Sequence, residues 1–124
     1  MGRSPETPPE PDSTTDEKVY MLNALWFRRD GGAEKYAAYA TAAAPVVSRL
    51  GGRLVDSYAP DLALIGEWDP DVFFLVEWPS WQAFTTLATE SAYLEIAHLR
   101  EEALERSLLI RCHRQLVGFA TEES

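Results

Sequence analysis

Apolar residues change their spacing along the chain in a definite order, and this order predicts which segments are strands and which are helices. Val19 to Phe27 is rich in β-branched, aromatic and aliphatic residues, which predicts a buried first strand that ends at the charged, glycine-containing turn of residues 28–32. From Ala33 to Leu50 apolar residues recur at steps of three and four. This spacing predicts a helix, and the pair Gly51 and Gly52 is predicted to end it.

The middle of the chain predicts two more strands. Residues 53–58 and 63–68 are predicted to form one long strand that is interrupted near Pro60, and Asp69-Pro70-Asp71 supplies a turn after it. Val72 to Trp78 is apolar at almost every position, as is typical of a central strand.

The last third of the chain predicts a second helical region and a closing strand. Ser80 is placed to cap a short helix that carries Trp81 on its apolar side. A further helical stretch is predicted from about Ser91 to Glu105, and Ser107 to Leu116 alternates as a strand does.

The element order is therefore βαββαβ, which predicts an α+β fold of the ferredoxin-like type. In such a fold a four-stranded, antiparallel-type sheet carries both helical regions on one face. The other face is left bare although its strands are bulky and apolar, and a twin sheet from a second copy would cover it. We expect a homodimer that pairs through this sheet face into a dimeric α/β barrel.

Composition divides the chain and excludes several partners. Residues 1–17 are rich in proline and acids and predict a disordered tail, residues 18–117 the folded domain, and residues 118–124 a flexible C-terminal tail. The net charge of −9 argues against nucleic acid or anionic membrane surfaces as partners. A single cysteine, Cys112, and no signal or membrane-spanning segment predict a cytoplasmic protein.

Five segments taken together carry a family resemblance. They are Leu22–Phe27, Leu50–Arg53, Ile65–Asp69, Val76–Ser80 and Ser91–Arg100. In this order they resemble a bacterial family of the dimeric α/β-barrel superfamily that is catalogued as a domain of unknown function. The resemblance implies the fold and the dimer. Families of similar architecture include cofactor-independent monooxygenases and cyclases, haem-degrading enzymes and plain ligand-binding domains, so fold alone selects none of these activities.

Arg100 is the strongest candidate for chemistry because it falls within the apolar stripe of its helix. Turning about 100° per residue places one stripe along this stretch, consisting of Tyr93, Ile96, Ala97, Arg100, Ala103 and Leu104. A guanidinium that faces the core needs a partner. Glu77 is the first internal candidate and Glu67 the second. Three alternatives remain open: a structural ion pair, a charge that reaches water, or a pocket in which Arg100 orients a carboxylate, enolate or phenolate.

Other side chains could contact a ligand. Asn23 is a polar amide in an apolar strand, so it either bonds to the backbone or faces the same cavity. Aromatic side chains suit a flat ligand, although such residues are more often core or dimer interface. The aromatic candidates are Trp26, Tyr36, Tyr39 and Tyr93.

His98 is the last candidate for chemistry. Helical geometry places it on the solvent side of its helix, but the family resemblance includes it, so His98 stays a candidate acid or base together with Arg100 and Glu77. No metal and no cofactor is expected.

Two functions are consistent with these residues. The first function is a cofactor-independent enzyme, a cyclase, isomerase or monooxygenase for a small aromatic or polyketide-like metabolite of secondary metabolism. The second is a non-catalytic dimeric module that binds a ligand or a partner.

Overall fold

The computed structural model describes residues 17–115, and its strands and helical regions follow one another along the chain in the predicted order βαββαβ. The strands are β1 (Val19–Phe27), β2 (Arg53–Tyr58), β3 (Val72–Trp78) and β4 (Leu104–Cys112). The helices are α1 (Gly32–Arg49), α2 (Trp81–Leu87), α3 (Ser91–Leu94) and α4 (Ala97–Ala103). All strand pairs are antiparallel, in the order β2-β3-β1-β4. Apart from Glu17, the predicted tails lie outside the described residues. Within residues 17–115 no helix is long and apolar enough to cross a membrane.

Two predicted helix boundaries are confirmed by their capping bonds. Gly51 follows the end of α1 with a φ of 101°, and its N–H donates to the carbonyl of Ser48 at 3.0 Å. A left-handed φ favours glycine at this position because it has no Cβ. Ser80 precedes α2, and its Oγ accepts a hydrogen bond from the N–H of Ala83 at 3.1 Å. Both ends were predicted from the sequence.

The second half of the predicted β2 strand is a loop instead. Residues 59–71 contain no strand, and Leu64 and Ile65 are almost fully exposed. The loop is fixed at its end by Asp71, whose carboxylate accepts from the N–H of Phe27 at 2.7 Å and whose own N–H donates to Leu25 at 2.8 Å. These bonds hold the chain at the end of β1, which leaves the apolar residues of the loop without a neighbouring strand to pair with.

The boundary between the last helix and the last strand also differs from the prediction. The helical stretch breaks near Ile96 into α3 and α4, and α4 ends at Ala103 rather than at Glu105. Leu104 is already extended, and the carbonyl of Ala103 accepts from the N–H of Arg28 at 2.9 Å. Pairing of β4 with β1 therefore begins earlier than the helical periodicity suggests. β4 ends at Cys112, and residues 113–115 are not part of a strand, so the prediction of a strand that continues to Leu116 is wrong over these residues. Leu116 itself lies outside the described residues.

The sheet has two different faces. On the covered face, Met21 and Trp78 pack with Val46 of α1 and Leu87 of α2, and Leu25 packs with the end of α4. Side chains alternate along a strand, so the neighbouring positions point the other way. This second, open face carries no helix within residues 17–115. Its side chains include Tyr20, Leu22, Ala24, Trp26, Tyr58, Phe73, Leu75, Glu77 and Ile110.

Candidate functional site

A cavity of about 830 Å³ lies between the covered face of the sheet and the helices. Its volume is within the range of roughly 300–1,000 Å³ that is usual for small-molecule sites. The sheet contributes mainly apolar side chains, which are Met21, Val72, Phe74, Val76, Trp78 and Leu109. Helix α1 forms the opposite wall. The cavity therefore has the size and the composition of a binding site.

Small side chains on α1 make room for the cavity. Ala40, Ala43 and Ala44 line it together with Val47, all on one side of the helix. Longer side chains at these positions would reach across to β3 and fill the space. Residues of β2, which is exposed along its whole length, line the cavity at the edge of the sheet. These alanines belong to the apolar repeat of Ala33 to Leu50, which predicts the helix but not a cavity.

Arg100 and Asn23 form a polar pair in the cavity wall. Arg100 is half-buried on α4, and its Nη2 donates to Oδ1 of Asn23 at 3.4 Å. Asn23 is buried in β1, and its Nδ2 donates to the carbonyl of Met21 at 3.3 Å. Asn23 thus satisfies both interpretations made from the sequence, because it bonds to the backbone and also lines the cavity. Arg100 lies on the covered side of the sheet, where it lines the cavity.

Three tyrosines lie beside this pair. Tyr39 and Tyr93 place their hydroxyl oxygens 2.8 Å apart, and the rings of Tyr36 and Tyr39 are in contact with centroids 5.2 Å apart. Burial raises the pKa of Tyr39 well above its ordinary value, and the hydrogen bond with Tyr93 adds to the rise. Burial also raises the pKa of Tyr36, which the charge of Arg100 lowers in part. Both phenols are therefore neutral near pH 7.

Glu77 does not lie beside Arg100, so the predicted pairing of the two is wrong. Its register partner on β1 is Tyr20, which places the carboxylate on the open face. There Glu77 accepts from Nε of Arg53 at 3.1 Å and pairs with Nζ of Lys18 at 2.7 Å. Hydrogen bonds from Lys18 and Arg53 hold the pKa of Glu77 below its usual range. This pairing could not be predicted from the sequence, because it depends on the strand register.

Three other residues that were predicted to contact Arg100 or a ligand lie outside the cavity. Glu67 belongs to the exposed loop, and His98 is exposed on α4 and does not line the cavity. Trp26 lies on the open face, where its Nε1 donates to Asp69 at 3.0 Å and Arg106 stacks on its ring. Of the four aromatic ligand contacts predicted, Tyr36, Tyr39 and Tyr93 reach the cavity and Trp26 does not.

Metal-binding side chains do not gather in the described part of the chain. Among residues 17–115 no group of three or more histidine, cysteine, aspartate or glutamate side chains could hold a metal ion. Glu95, His98 and Glu102, which share a spacing on the helical stretch, belong to no such group. The polar side chains that line the cavity belong to arginine, asparagine, tyrosine and serine.

Comparisons with known proteins identify relatives. The family model described as "Domain of unknown function (DUF1330)" matches residues 18–111. The crystal structure of methylated RPA0582 is 36% identical, with a TM-score of 0.76 over 84% of this chain and 85% of that one. A second structure of RPA0582, a protein of unknown function from Rhodopseudomonas palustris, is 33% identical, with a TM-score of 0.75 over 83% and 86%.

More distant structures share the fold alone. A dimeric protein of unknown function with a ferredoxin-like fold, from Bacteroides fragilis NCTC 9343, is 12% identical, with a TM-score of 0.57 over 78% of this chain and 96% of that one. A comparison with curated proteins gave no match. The predicted ferredoxin-like α+β fold is confirmed, as is the resemblance to a family of unknown function. The chain belongs to the DUF1330 family.

Proposed function

We propose that this protein binds a small apolar metabolite in the cavity between α1 and the covered face, with Arg100 at its polar end. The observation that carries the proposal is the position of Arg100. A guanidinium is half-buried in a mostly apolar wall, and the two side chains it interacts with are neutral, the amide of Asn23 and the phenol of Tyr36. Arginine in a pocket is typical of sites that recognise a negatively charged or strongly polar oxygen.

The geometry supports binding better than acid-base catalysis by the residues predicted for it. Glu77 is paired on the open face, and His98 is exposed outside the cavity. Of the three candidate catalytic residues only Arg100 lines the cavity. A general acid or base has to come within hydrogen-bonding reach of the reacting group. A ligand in this cavity would reach neither Glu77 nor His98, which favours the non-catalytic function of the two considered.

The proposed working form is a homodimer that pairs through the open face. Exposed apolar side chains on this side of the sheet include Tyr58 and Ile110, at 55% and 44% exposure, and the ring of Trp68 packs at a tilt against Phe73 beside them. A patch of this kind on a small domain marks an interface. A second sheet would cover it and leave the cavity, on the other face, free. The single half-buried Cys112 fits a reducing, cytoplasmic compartment.

A neutral fluorescent probe tests binding in the cavity. N-phenyl-1-naphthylamine has an apolar, aromatic body and fluoresces when it leaves water, so saturable fluorescence reports a dry site. The test compares Ala40→Trp, which fills the cavity from α1, with Ala38→Trp, an exposed position on the opposite side of the same helix. Melting temperatures of both variants establish that the domain is folded.

The two variants are expected to behave differently. Wild type and Ala38→Trp should bind the probe with the same affinity. The affinity of Ala40→Trp for the probe should be at least about tenfold lower, because the indole occupies the space that the probe needs. Equal binding by Ala40→Trp and wild type would place the probe elsewhere and contradict the proposal.

A further inference from the structure

We infer that the ligand of this cavity is an amphipathic carboxylic acid, an apolar and preferably aromatic body whose carboxylate faces Arg100. The inference rests on the proposed function and names the chemical class of the ligand. It follows from the hydrogen-bond donors and acceptors that line the cavity and from the apolar side chains around them.

Arg100 supplies most of the donors. A guanidinium has five N–H groups, and among the described residues one of them makes a long bond to Oδ1 of Asn23 at 3.4 Å. The hydroxyl of Tyr36 is a second partner, since the charge of Arg100 and a hydrogen bond from it oppose the rise that burial causes in the pKa of Tyr36. The Oδ1 of Asn23 accepts from Arg100 and carries no charge, while one of the two N–H groups of its Nδ2 donates to the carbonyl of Met21. The guanidinium therefore faces the cavity with a full positive charge and with N–H groups that can donate to a ligand.

The tyrosine pair supplies a further donor. Either hydroxyl of Tyr39 and Tyr93 can be the donor in their 2.8 Å hydrogen bond. One O–H is used in that bond, so the second O–H is left over and needs an acceptor. Both residues line the cavity, and Tyr36 lines it beside them. Since burial keeps Tyr36 and Tyr39 protonated, these phenols present hydrogens rather than negative charge.

No carboxylate or imidazole balances these donors. Among the described residues that line the cavity there is no aspartate, glutamate or histidine. The remaining polar lining residues are Ser48, at the end of α1, and Arg53 and Ser57 of β2. An amine would therefore meet an unpaired positive charge, and an alcohol would leave that charge unbalanced. A carboxylate carries four acceptor positions and one negative charge, and it can accept two parallel bonds from a guanidinium.

The rest of the wall defines the body of the ligand. Away from Arg100 the cavity is bounded by Ala40, Ala44 and Val47 of α1 and by Phe74 and Val76 of β3. Apolar surface on both sides favours a body that buries its whole area, and a flat ring system fits between a helix and a sheet. A volume of about 830 Å³ is more than a simple short-chain acid needs.

A matched set of probes tests the class of the ligand. The four probes share one naphthalene ring and differ in the head: 2-naphthoate, 2-naphthamide, 2-naphthalenemethanol and 2-naphthylmethylamine. Each is titrated against wild-type protein that is loaded with N-phenyl-1-naphthylamine, and the concentration that displaces half of the probe is measured. We expect 2-naphthoate to act at a concentration about tenfold or more below that of each other probe, as expected for charge-assisted hydrogen bonds. Arg100→Met should remove this preference.

The possible failures can be told apart. If the amine or the alcohol displaces the probe as well as 2-naphthoate does, the inferred ligand class is wrong while the cavity remains a binding site. If N-phenyl-1-naphthylamine itself binds equally to wild type and Ala40→Trp, the proposed function fails first. The comparison of the four heads uses wild-type protein, so it decides the ligand class even if Arg100→Met does not fold.

Discussion

Arg100 of α4 and Asn23 of β1 meet on the covered face of the sheet, with Nη2 of the arginine 3.4 Å from Oδ1 of the amide. The contact joins two residues that are 77 positions apart in the chain. It gives the guanidinium a neutral partner rather than a carboxylate. A charge held in this way is available to a ligand, and little of the stability of the fold should depend on it.

Replacement of Arg100 by methionine is expected to separate binding from stability. The methionine side chain keeps most of the apolar stem, and Asn23 loses one long hydrogen bond, so the free energy of unfolding should fall by about 1 kcal/mol or less. Affinity for 2-naphthoate should fall at least about tenfold. Urea unfolding and probe displacement measure the two effects. A loss of several kcal/mol with unchanged affinity would assign Arg100 to a structural role.

The tyrosine pair predicts an unusual pattern of single and double variants. Because either Tyr39 or Tyr93 can be the donor, Tyr39→Phe and Tyr93→Phe each leave one hydroxyl free to bond to a ligand. Each single variant should change the affinity for 2-naphthoate by less than about threefold, and the double variant should lower it by about tenfold. Affinity for the neutral N-phenyl-1-naphthylamine is the control and should stay constant. A single variant as damaging as the double one would contradict a shared donor.

Dimer formation through the open face can be tested by one charge. Ile110 is 44% exposed on the open face, so Ile110→Glu would place a carboxylate in the proposed interface. Leu94, exposed on α3 at 57%, provides the matched control Leu94→Glu. Sedimentation velocity should show a monomer for Ile110→Glu and a dimer for Leu94→Glu and wild type. If Ile110→Glu forms a dimer with the same affinity as wild type, the interface lies on another surface.

The ion pairs of Glu77 predict a loss of stability in acid. Hydrogen bonds from Lys18 and Arg53 lower the pKa of Glu77 in the folded state below its ordinary value of 4.5. A carboxylate with a lowered pKa stabilises the fold above the unfolded-state pKa, and this contribution disappears as the pH falls through the folded-state pKa. At pH 7 wild type should therefore be more stable than Glu77→Gln, and the difference should shrink below about pH 4.5.

Urea unfolding at a series of pH values measures this difference. Glu105→Gln, which removes an exposed glutamate of β4, serves as the control for the general effect of lost charge. A difference between wild type and Glu77→Gln that stays constant down to pH 3 would show that the ion pairs do not contribute.

Periodicity along the chain was enough to predict much of the fold and part of the site. The strand and helix order follows from local spacing, and the helical repeat places Arg100 and Tyr93 on the covered face together. Local capping preferences also predicted that Ser80 precedes α2 and that Gly51 follows the end of α1. These features depend on residues close in sequence, for which propensity and pattern are informative.

Features that depend on register could not be predicted in the same way. Alternation along β3 places Glu77 and Phe74 on opposite faces, but only the pairing of Asn23 with Phe74 and of Tyr20 with Glu77 shows which of the two shares the face of Arg100. A shift of one residue would exchange the two faces. The segment 63–68 has the composition of a strand, yet the bonds of Asp71 to β1 hold it in a loop. Tertiary contacts decide such cases.

The most direct test of the ligand site is a crystal structure of the protein with 2-naphthoate bound. The proposed binding mode places the carboxylate within hydrogen-bonding distance of Arg100 and of the Tyr39 and Tyr93 hydroxyls, with the naphthalene ring between α1 and β3. A naphthoate found only on the open face, or one in the cavity with its carboxylate turned away from Arg100 towards β2, would contradict it.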